Sequence, residues 1–213
     1  MMKFIKAAFL FVLAISTAHA QYDPEAKAIL DDMSQRYKAI PAFSADFTQT
    51  LVNEAAGLNE TMQGEIMVMD NMYRLDIAGQ EIYNDGTDVW SYNPEINEVT
   101  VSTYDPEEAE ISLGNIWDLY KEGFKYTLLA ANEKGKQVID LNPEDRSKSY
   151  YKIRMFINPD NTLDSFTVFE SSGNKYTYSI SNFKEEAVSR GKSAFTFDPT
   201  SKDPEPEVID FRN

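Results

Sequence analysis

The sequence predicts a mainly β protein in which one antiparallel sheet of about eleven strands curves into a barrel-like shape. Three observations support this prediction. An N-terminal helical pattern is followed by six short strand patterns, a helical insert interrupts them in mid-chain, and at least five further strand patterns come after it. Short turn signals separate the strands, as in an antiparallel meander. A flat open sheet of this size is unusual, so we expect strong curvature.

The first twenty residues have the pattern of an export signal. Lys3 and Lys6 precede an apolar run over residues 7–15, and an A-x-A site follows at residues 18–20. The apolar run is shorter than a membrane-spanning helix requires. We therefore predict a Sec signal peptide over residues 1–20 that is cleaved on export to the periplasm, and one domain over residues 21–213.

The charge and the missing side chains exclude several classes of function. The net charge is −15, and the leader carries Lys3 and Lys6 without an acidic residue, so the remaining chain has a charge of −17. Such a surface repels nucleic acid and anionic lipid headgroups, and no nucleic-acid partner is expected. The chain has no cysteine, and its one histidine, His19, lies in the leader. Cysteine or histidine catalysis and zinc sites with nitrogen or sulfur ligands are therefore excluded after cleavage.

Carboxylate chemistry is the remaining route to an enzyme, and the sequence does not favour it. Glu107, Glu108 and Glu110 lie together at a helix start, where negative charge suits the helix dipole. A carboxylate hydrolase needs an acid and a base of different pKa across a cleft, and no spacing marks such a pair. We expect no enzyme activity, no catalytic residue, no metal and no cofactor.

The first element is a helix that begins at Asp23-Pro24. Aspartate caps free amide groups, and proline suits the first helical position. An apolar stripe follows, and Pro41 ends the helix. The stripe consists of Ile29, Leu30, Met33 and Tyr37.

The strands lie on both sides of the helical insert. Those predicted before it are 43–52, 61–69, 72–77, 81–83, 89–92 and 99–103. Those predicted after it are 124–129, 137–141, 150–157, 164–169, 176–181 and 195–197, with a further candidate at 208–211. Leu113, Ile116, Trp117 and Tyr120 share one helical face of the insert, which spans 106–122 and is expected to form a lid.

Several apolar faces could form either a core or a cavity wall. Phe43, Phe47 and Leu51 alternate along the first strand, and Trp90 and Tyr92 share a face of another. Four methionines lie between positions 62 and 72 and suit either core filling or an adaptable ligand surface. A barrel of this strand number encloses more volume than its wall side chains fill, so a loop or a ligand must occupy it.

Four motifs in register resemble the periplasmic outer-membrane lipoprotein carrier family (LolA). "FSADFTQ" at residues 43–49 is similar to its F-x-A-x-F-x-Q signature, and Gly64-Glu65-Ile66 to the start of its next strand. "IYNDGTDVWSYNP" at residues 82–94 and "FTFDPTSKDPEPEVIDFR" at residues 195–212 resemble two later motifs of the family. The resemblance covers nearly all of the chain after the leader.

The resemblance implies an unclosed eleven-stranded barrel with a helical lid. It implies a monomeric chaperone that receives triacylated lipoproteins from an inner-membrane ABC transporter, shields their acyl chains and delivers them to the outer membrane. The acceptor there is itself a lipoprotein of related fold, so a chain without cysteine resembles the soluble carrier instead. One departure is Asp70, which stands where family members often have an arginine that contacts the lid.

Strand phase and the resemblance together give a predicted hydrophobic cavity. Its residues are Phe43, Phe47, Leu51, Ile66, Val68, Trp90, Tyr92, Leu113, Ile116, Trp117 and Tyr178. Phe47→Glu is expected to abolish acyl-chain binding without unfolding. Two other functions remain open: a carrier of another lipid, glycolipid or pigment precursor, and a lipid-sensing regulator of envelope stress, although sensors of that kind usually carry a second domain.

Overall fold

The computed structural model describes residues 22–105, 111, 115–129, 135–186 and 191–212. One α-helix, α1 (Pro24–Ala39), precedes the sheet. The strands are β1 (Ala42–Asn53), β2 (Leu58–Met69), β3 (Met72–Ile77), β4 (Gln80–Asn84), β5 (Asp88–Asn93), β6 (Glu98–Thr103), β7 (Phe124–Leu129), β8 (Gln137–Pro143), β9 (Tyr150–Ile157), β10 (Leu163–Glu170), β11 (Lys175–Glu185) and β12 (Glu207–Asp210). Short 3-10 helices lie at Leu119–Lys121, Lys192–Phe195 and Pro199–Ser201.

All twelve strands belong to one sheet in the order β12-β6-β5-β4-β3-β2-β1-β11-β10-β9-β8-β7. The pairs among β1 to β11 are antiparallel, and β12 is parallel to β6. The sheet ends at β12 on one side and at β7 on the other, so it is unclosed. The predicted fold class is therefore confirmed, with twelve strands in place of about eleven.

Asp23 caps the N-terminus of α1 and also joins the helix to β7, the strand at one edge of the sheet. Its Oδ1 accepts the amide hydrogens of Glu25 and Ala26 at 2.9 and 3.3 Å, and its Oδ2 accepts that of Leu128 in β7 at 3.0 Å. These backbone hydrogen bonds, the one from Leu128 first, lower the pKa of Asp23. At the other end of the helix, the hydroxyl of Tyr37 accepts the amide hydrogen of Leu163 at the start of β10. The helix therefore crosses one face of the sheet, called the inner face below.

The chain after β11 crosses the opposite, outer face of the sheet. Phe195 packs on Ala42, Met69 and Met72, and Phe197 packs in a second cluster that includes Tyr83. The prediction of a strand at 195–197 is wrong, because Phe195 ends a 3-10 helix that covers an apolar patch of the outer face. The candidate strand at 208–211 is confirmed as β12.

The four methionines between positions 62 and 72 are divided between the inner and outer faces of the sheet. Met67 and Met69 of β2 and Met72 of β3 belong to the patch under Phe195, so they fill an outer-face core. Met62 lies on the inner face beside Gln49 and is 36% exposed. The insert predicted as helical over 106–122 is described only at 111 and 115–122, where a turn leads into the 3-10 helix; the rest lies outside the described residues.

Candidate functional site

The strand register defines which side chains share the inner face. Phe43 of β1 lies beside Val68 of β2, and Phe47 lies beside Gly64. On the other side of β1, Phe47 pairs with Ile180 of β11. Residues that pair directly across two neighbouring strands place their side chains on the same face of the sheet. The inner-face residues of every strand can therefore be identified from the pairing.

One half of the inner face, over β7 to β10, is packed against α1. Its side chains and those of the helix form one continuous core. Side chains with zero exposure in this half are Ile139, Leu141, Ile153, Met155 and Ile157. This half is a conventional hydrophobic core.

The other half, over β3 to β5, continues the apolar face with less cover. Leu75 of β3 and Ile82 of β4 follow Ile66 across the ladder, and Ile77 lies beside Gly64. Leu75, Ile77 and Ile82 are half-buried, in contrast to their counterparts on β8 and β9. The face turns polar beyond them, because Ser91 of β5 is the next residue across the ladder from Ile82. The less covered apolar surface is therefore centred on β3 and β4.

Phe47 separates the two halves of the face. Its ring lies against Gly64, where a Cβ atom would come within 2.5 Å of the Phe47 Cζ atom and 2.4 Å of the Asp76 carbonyl oxygen. Phe47 is 2% exposed, so its ring fills the space that Gly64 leaves. Glycine at position 64 is required for this close approach.

The described part of the insert lies over α1 and the start of β1. Ile116 is fully buried in the main core. Trp117 stacks on Tyr37 with 4.7 Å between ring centroids, and its ring meets that of Phe43 edge-on at 5.5 Å. The described part of the insert therefore bridges α1 and the start of β1, and its action as a lid stays a prediction.

Polar contacts fasten the insert to α1. Asp118 accepts hydrogen bonds from the Ser34 hydroxyl and the Lys121 ammonium, both at 2.5 Å, and pairs with Lys38 at 3.0 Å. The Tyr120 hydroxyl donates to Asp31 at 2.6 Å. Burial alone would raise the pKa of Asp118, but the hydrogen bonds from Lys121, Ser34 and Lys38 outweigh it, and the pKa is lowered. The carboxylate is thus held charged as the centre of this latch.

A cavity of about 350 Å³ lies between the latch and the sheet. Its walls are partly aromatic and aliphatic, and its rim is polar. The apolar lining includes Tyr37, Ile40, Phe43, Val68, Tyr73 and Trp117. Asp70 and Asn71 of the β2–β3 turn line this cavity together with Asp118. Hydrogen bonds and an ion pair join the insert to Asp31, Ser34 and Lys38 of α1.

The predicted cavity residues separate into several groups. Phe43, Phe47, Ile66, Val68 and Ile116 are buried in the main core, and Trp117 and Tyr178 pack against it. Leu51 is a half-buried residue of the same inner face, beside Tyr176. Leu113 lies outside the described residues. The structure thus brings most of this set onto one face, while their contact with a ligand stays a prediction.

Trp90 and Tyr92 lie on the outer face and not with the other predicted residues. Trp90 pairs with Tyr83, which pairs with Arg74, and Arg74 is on the face of Met67. Both aromatic side chains pack in the cluster around Phe197. Their assignment to the cavity is therefore corrected: they are covered by the C-terminal segment, and the inner-face positions of β5 are Val89 and Ser91.

Sequence reasoning missed Leu75, Ile77 and Ile82, which form the less covered surface. Alternation along β3 and β4 could have identified them, once the phase of β2 was carried across the two short turns. Among the described residues, no group of three or more acidic or histidine side chains is placed to hold a metal ion. No helix within the described ranges is long and apolar enough to cross a membrane.

The fold and this site define an open-barrel protein with an apolar interior, a fold that suits lipid binding. The family model described as "Outer membrane lipoprotein carrier protein LolA" matches residues 38–198. The chain belongs to this family.

Known proteins resemble the chain along most of its length. An outer-membrane lipoprotein carrier protein of Edwardsiella ictaluri is 23% identical over 172 residues, which cover 79% of this chain and 83% of the relative. One from Yersinia pestis is 22% identical over 199 residues, which cover 92% and 95%. A crystal structure of an uncharacterized conserved protein from Thermus thermophilus superposes with a TM-score of 0.57 at 12% identity, over 87% of this chain and 99% of that one. The structural likeness shows the shared fold.

Proposed function

We propose that this protein is a periplasmic carrier, and not an enzyme, that shields the acyl chains of lipoproteins on the inner face of its sheet. The observation that carries the proposal is the half-buried apolar surface of Leu75, Ile77 and Ile82, on the same face of the sheet as Phe43, which the insert contacts through Trp117. Family membership supports lipoproteins as the cargo. By the same argument we propose an inner-membrane ABC transporter as the donor and an outer-membrane protein as the acceptor.

The size of the cavity requires the lid to move. A volume of 350 Å³ corresponds to about a dozen water molecules, at about 30 Å³ each. Three long acyl chains contain several times that number of heavy atoms. Chains that enter must therefore displace the insert and extend over β3 and β4.

The contacts of the lid are weak enough for this displacement. Exposing Ile116 and Tyr120 costs about 2 kcal/mol each, losing the Trp117–Tyr37 stack about 1 kcal/mol, and breaking the half-exposed ion pairs about 1 kcal/mol. For the described residues, the total of about 6 kcal/mol equals the burial of about seven or eight methylene groups at about 0.8 kcal/mol each. One acyl chain supplies more than that. The cost of opening also keeps the affinity within the range of a carrier that must release its cargo.

Binding of a fluorescent triacylated lipopeptide to Ile77→Glu tests the proposal. Ile77 is half-buried on the inner face, so a carboxylate there would face the acyl chains at little cost to folding. We expect binding at least about tenfold weaker, because an unpaired charge in an apolar site is strongly unfavourable. The control is Ile96→Glu, since Ile96 is 64% exposed in the β5–β6 turn. Phe47→Glu is unsuitable, because Phe47 is core and its replacement would unfold the protein.

Two results would contradict the proposal. Equal affinity of Ile77→Glu and wild type would exclude the β3–β4 surface as the binding site. If a glycolipid displaced the probe and unlabelled lipopeptide did not, the result would indicate that the cargo is another lipid and not a lipoprotein.

A further inference from the structure

A basic pocket lies on the side of the sheet away from the β3–β4 surface. It has a volume of about 470 Å³ and is formed by β7, the β8–β9 connection and the β10–β11 turn. Its charged lining consists of Lys125, Glu144, Arg146 and Lys148. Three cations thus meet in one pocket of a chain whose net charge is −15.

The carboxylates in and beside this pocket bind other groups. Glu144 Oε1 accepts the hydroxyl hydrogen of Tyr22 at 2.5 Å. The neighbouring Asp145 accepts the amide and hydroxyl hydrogens of Ser147 at 2.8 and 2.7 Å, and the charge of Lys148 also contributes to the lowered pKa of Asp145. Within the described ranges, neither Lys125 nor Arg146 lies within ion-pair distance of a carboxylate. The pocket therefore keeps positive charge available to a ligand.

The cationic side chains that line the pocket suit a tetrahedral anion. Arg146 offers a planar fork of donors, and Lys125 offers a point charge from another direction. Lys148 lies 5.8 Å from the ring centroid of Tyr150, which belongs to the main core and gives the pocket a rigid wall. The hydroxyl of Ser171 lines the pocket from the β10–β11 turn. Lys125 extends from the outer face of β7, because its neighbour Tyr126 pairs with the core residue Leu141.

We infer that this pocket binds a phosphate group, carried by an anionic phospholipid headgroup or present as free phosphate. An acidic chain is repelled by an anionic membrane surface, and attraction at one pocket opposes that repulsion locally. Headgroup binding would therefore determine which end of the carrier approaches the membrane. The inner face and its acyl-chain site are not involved.

The test compares wild type with K125Q/R146Q/K148Q. Glutamine keeps most of each side-chain stem, so packing is retained while the charge is removed. Sedimentation with vesicles of equal parts phosphatidylglycerol and phosphatidylcholine, at about 0.05 M salt, measures headgroup binding. An NMR titration with inorganic phosphate measures free-phosphate binding. The matched control is K175Q/K184Q/K192Q, which removes the same charge from positions outside this pocket.

We expect the first variant to lose binding and the control to keep it. Each basic residue near an anionic surface contributes about fivefold, so three give a loss of about a hundredfold. Vesicle binding lost in this way identifies the headgroup as the ligand, and phosphate-induced shifts at Lys125, Arg146 and Lys148 identify free phosphate. Equal losses in the two variants, or no binding of either probe to wild type, would overturn the inference. Lipopeptide binding should be unchanged in both variants, which separates this test from that of the carrier function.

Discussion

The two halves of the inner face have the same alternation of apolar side chains but different burial. On β8 and β9, Ile139 and Ile153 have no exposed surface, because α1 lies over them. On β3 and β4, Ile77 and Ile82 occupy equivalent ladder positions and are only half-buried. The difference shows that the covering element, and not the strand pattern, decides how deeply an apolar face is buried.

The lid differs from α1 in the way it is attached. The helix places a full stripe of buried side chains on the sheet, from Ala26 to Tyr37. The described part of the insert contributes fewer buried side chains, Ile116 and Tyr120, with Ile111, Trp117 and Leu119 partly buried and a polar latch around Asp118. The helix is therefore the more extensive cover, and the insert is the element that we propose acyl chains displace.

The largest expected difference between the two halves is in stability. Ile153→Ala removes a fully buried side chain and should lower the free energy of unfolding by about 3 kcal/mol. Ile82→Ala should lower it by less than about 1.5 kcal/mol, because Ile82 is already half-exposed. Urea unfolding with tryptophan fluorescence measures both. The order should be the opposite for lipopeptide affinity, which Ile82→Ala should reduce more than Ile153→Ala does. A larger stability loss for Ile82→Ala would show that the β3–β4 surface is an ordinary core.

A smaller effect is expected from the charge that holds the lid. The lowered pKa of Asp118 means that its charged form is favoured while the latch is closed. The latch should therefore be intact above the ordinary aspartate pKa of about 3.9 and weaken as the pH falls through the lowered value. Between pH 6 and 8 it should not change. Trp117 emission reports the opening in a Trp90→Phe background, since these are the two tryptophans.

Asp118→Asn removes this charge at every pH. Lipopeptide association at pH 7 should become about two- to fivefold faster, as expected for the loss of partly exposed ion pairs. Asp145→Asn is the matched control, because the pKa of Asp145 is also lowered, by its hydrogen bonds to Ser147, away from the lid. A change of equal size in the control, or an opening transition near neutral pH, would show that Asp118 is not the latch.

The sequence was sufficient to predict the helix start, the order of most of the elements and the alternation of apolar side chains along the strands. Asp23-Pro24 and the alternation along β8 to β10 depend on neighbouring residues, which a sequence displays directly. The phase of β5 could not be predicted from its own residues. Trp90 and Tyr92 are as apolar as an inner-face pair, but Phe197, more than a hundred positions later, covers them from outside.

The latch was unpredictable for a similar reason. Ser34 and Asp118 are 84 positions apart, and both are common surface residue types. The family pattern directs attention to the turn at Asp70, whereas the described hydrogen bonds of the lid go to α1. The same limit applies to the β3–β4 surface, because strand alternation alone does not reveal which half of the sheet α1 covers.

Photo-crosslinking tests the central claim most directly. A triacylated lipopeptide with a diazirine near the end of one acyl chain is bound, irradiated and mapped by peptide mass spectrometry. We expect labelling of residues 72–84, on β3 and β4, and little labelling of residues 137–157, on β8 and β9. Predominant labelling of 137–157 would mean that acyl chains displace α1 from the packed half, and it would contradict the assignment of the β3–β4 surface as the binding site.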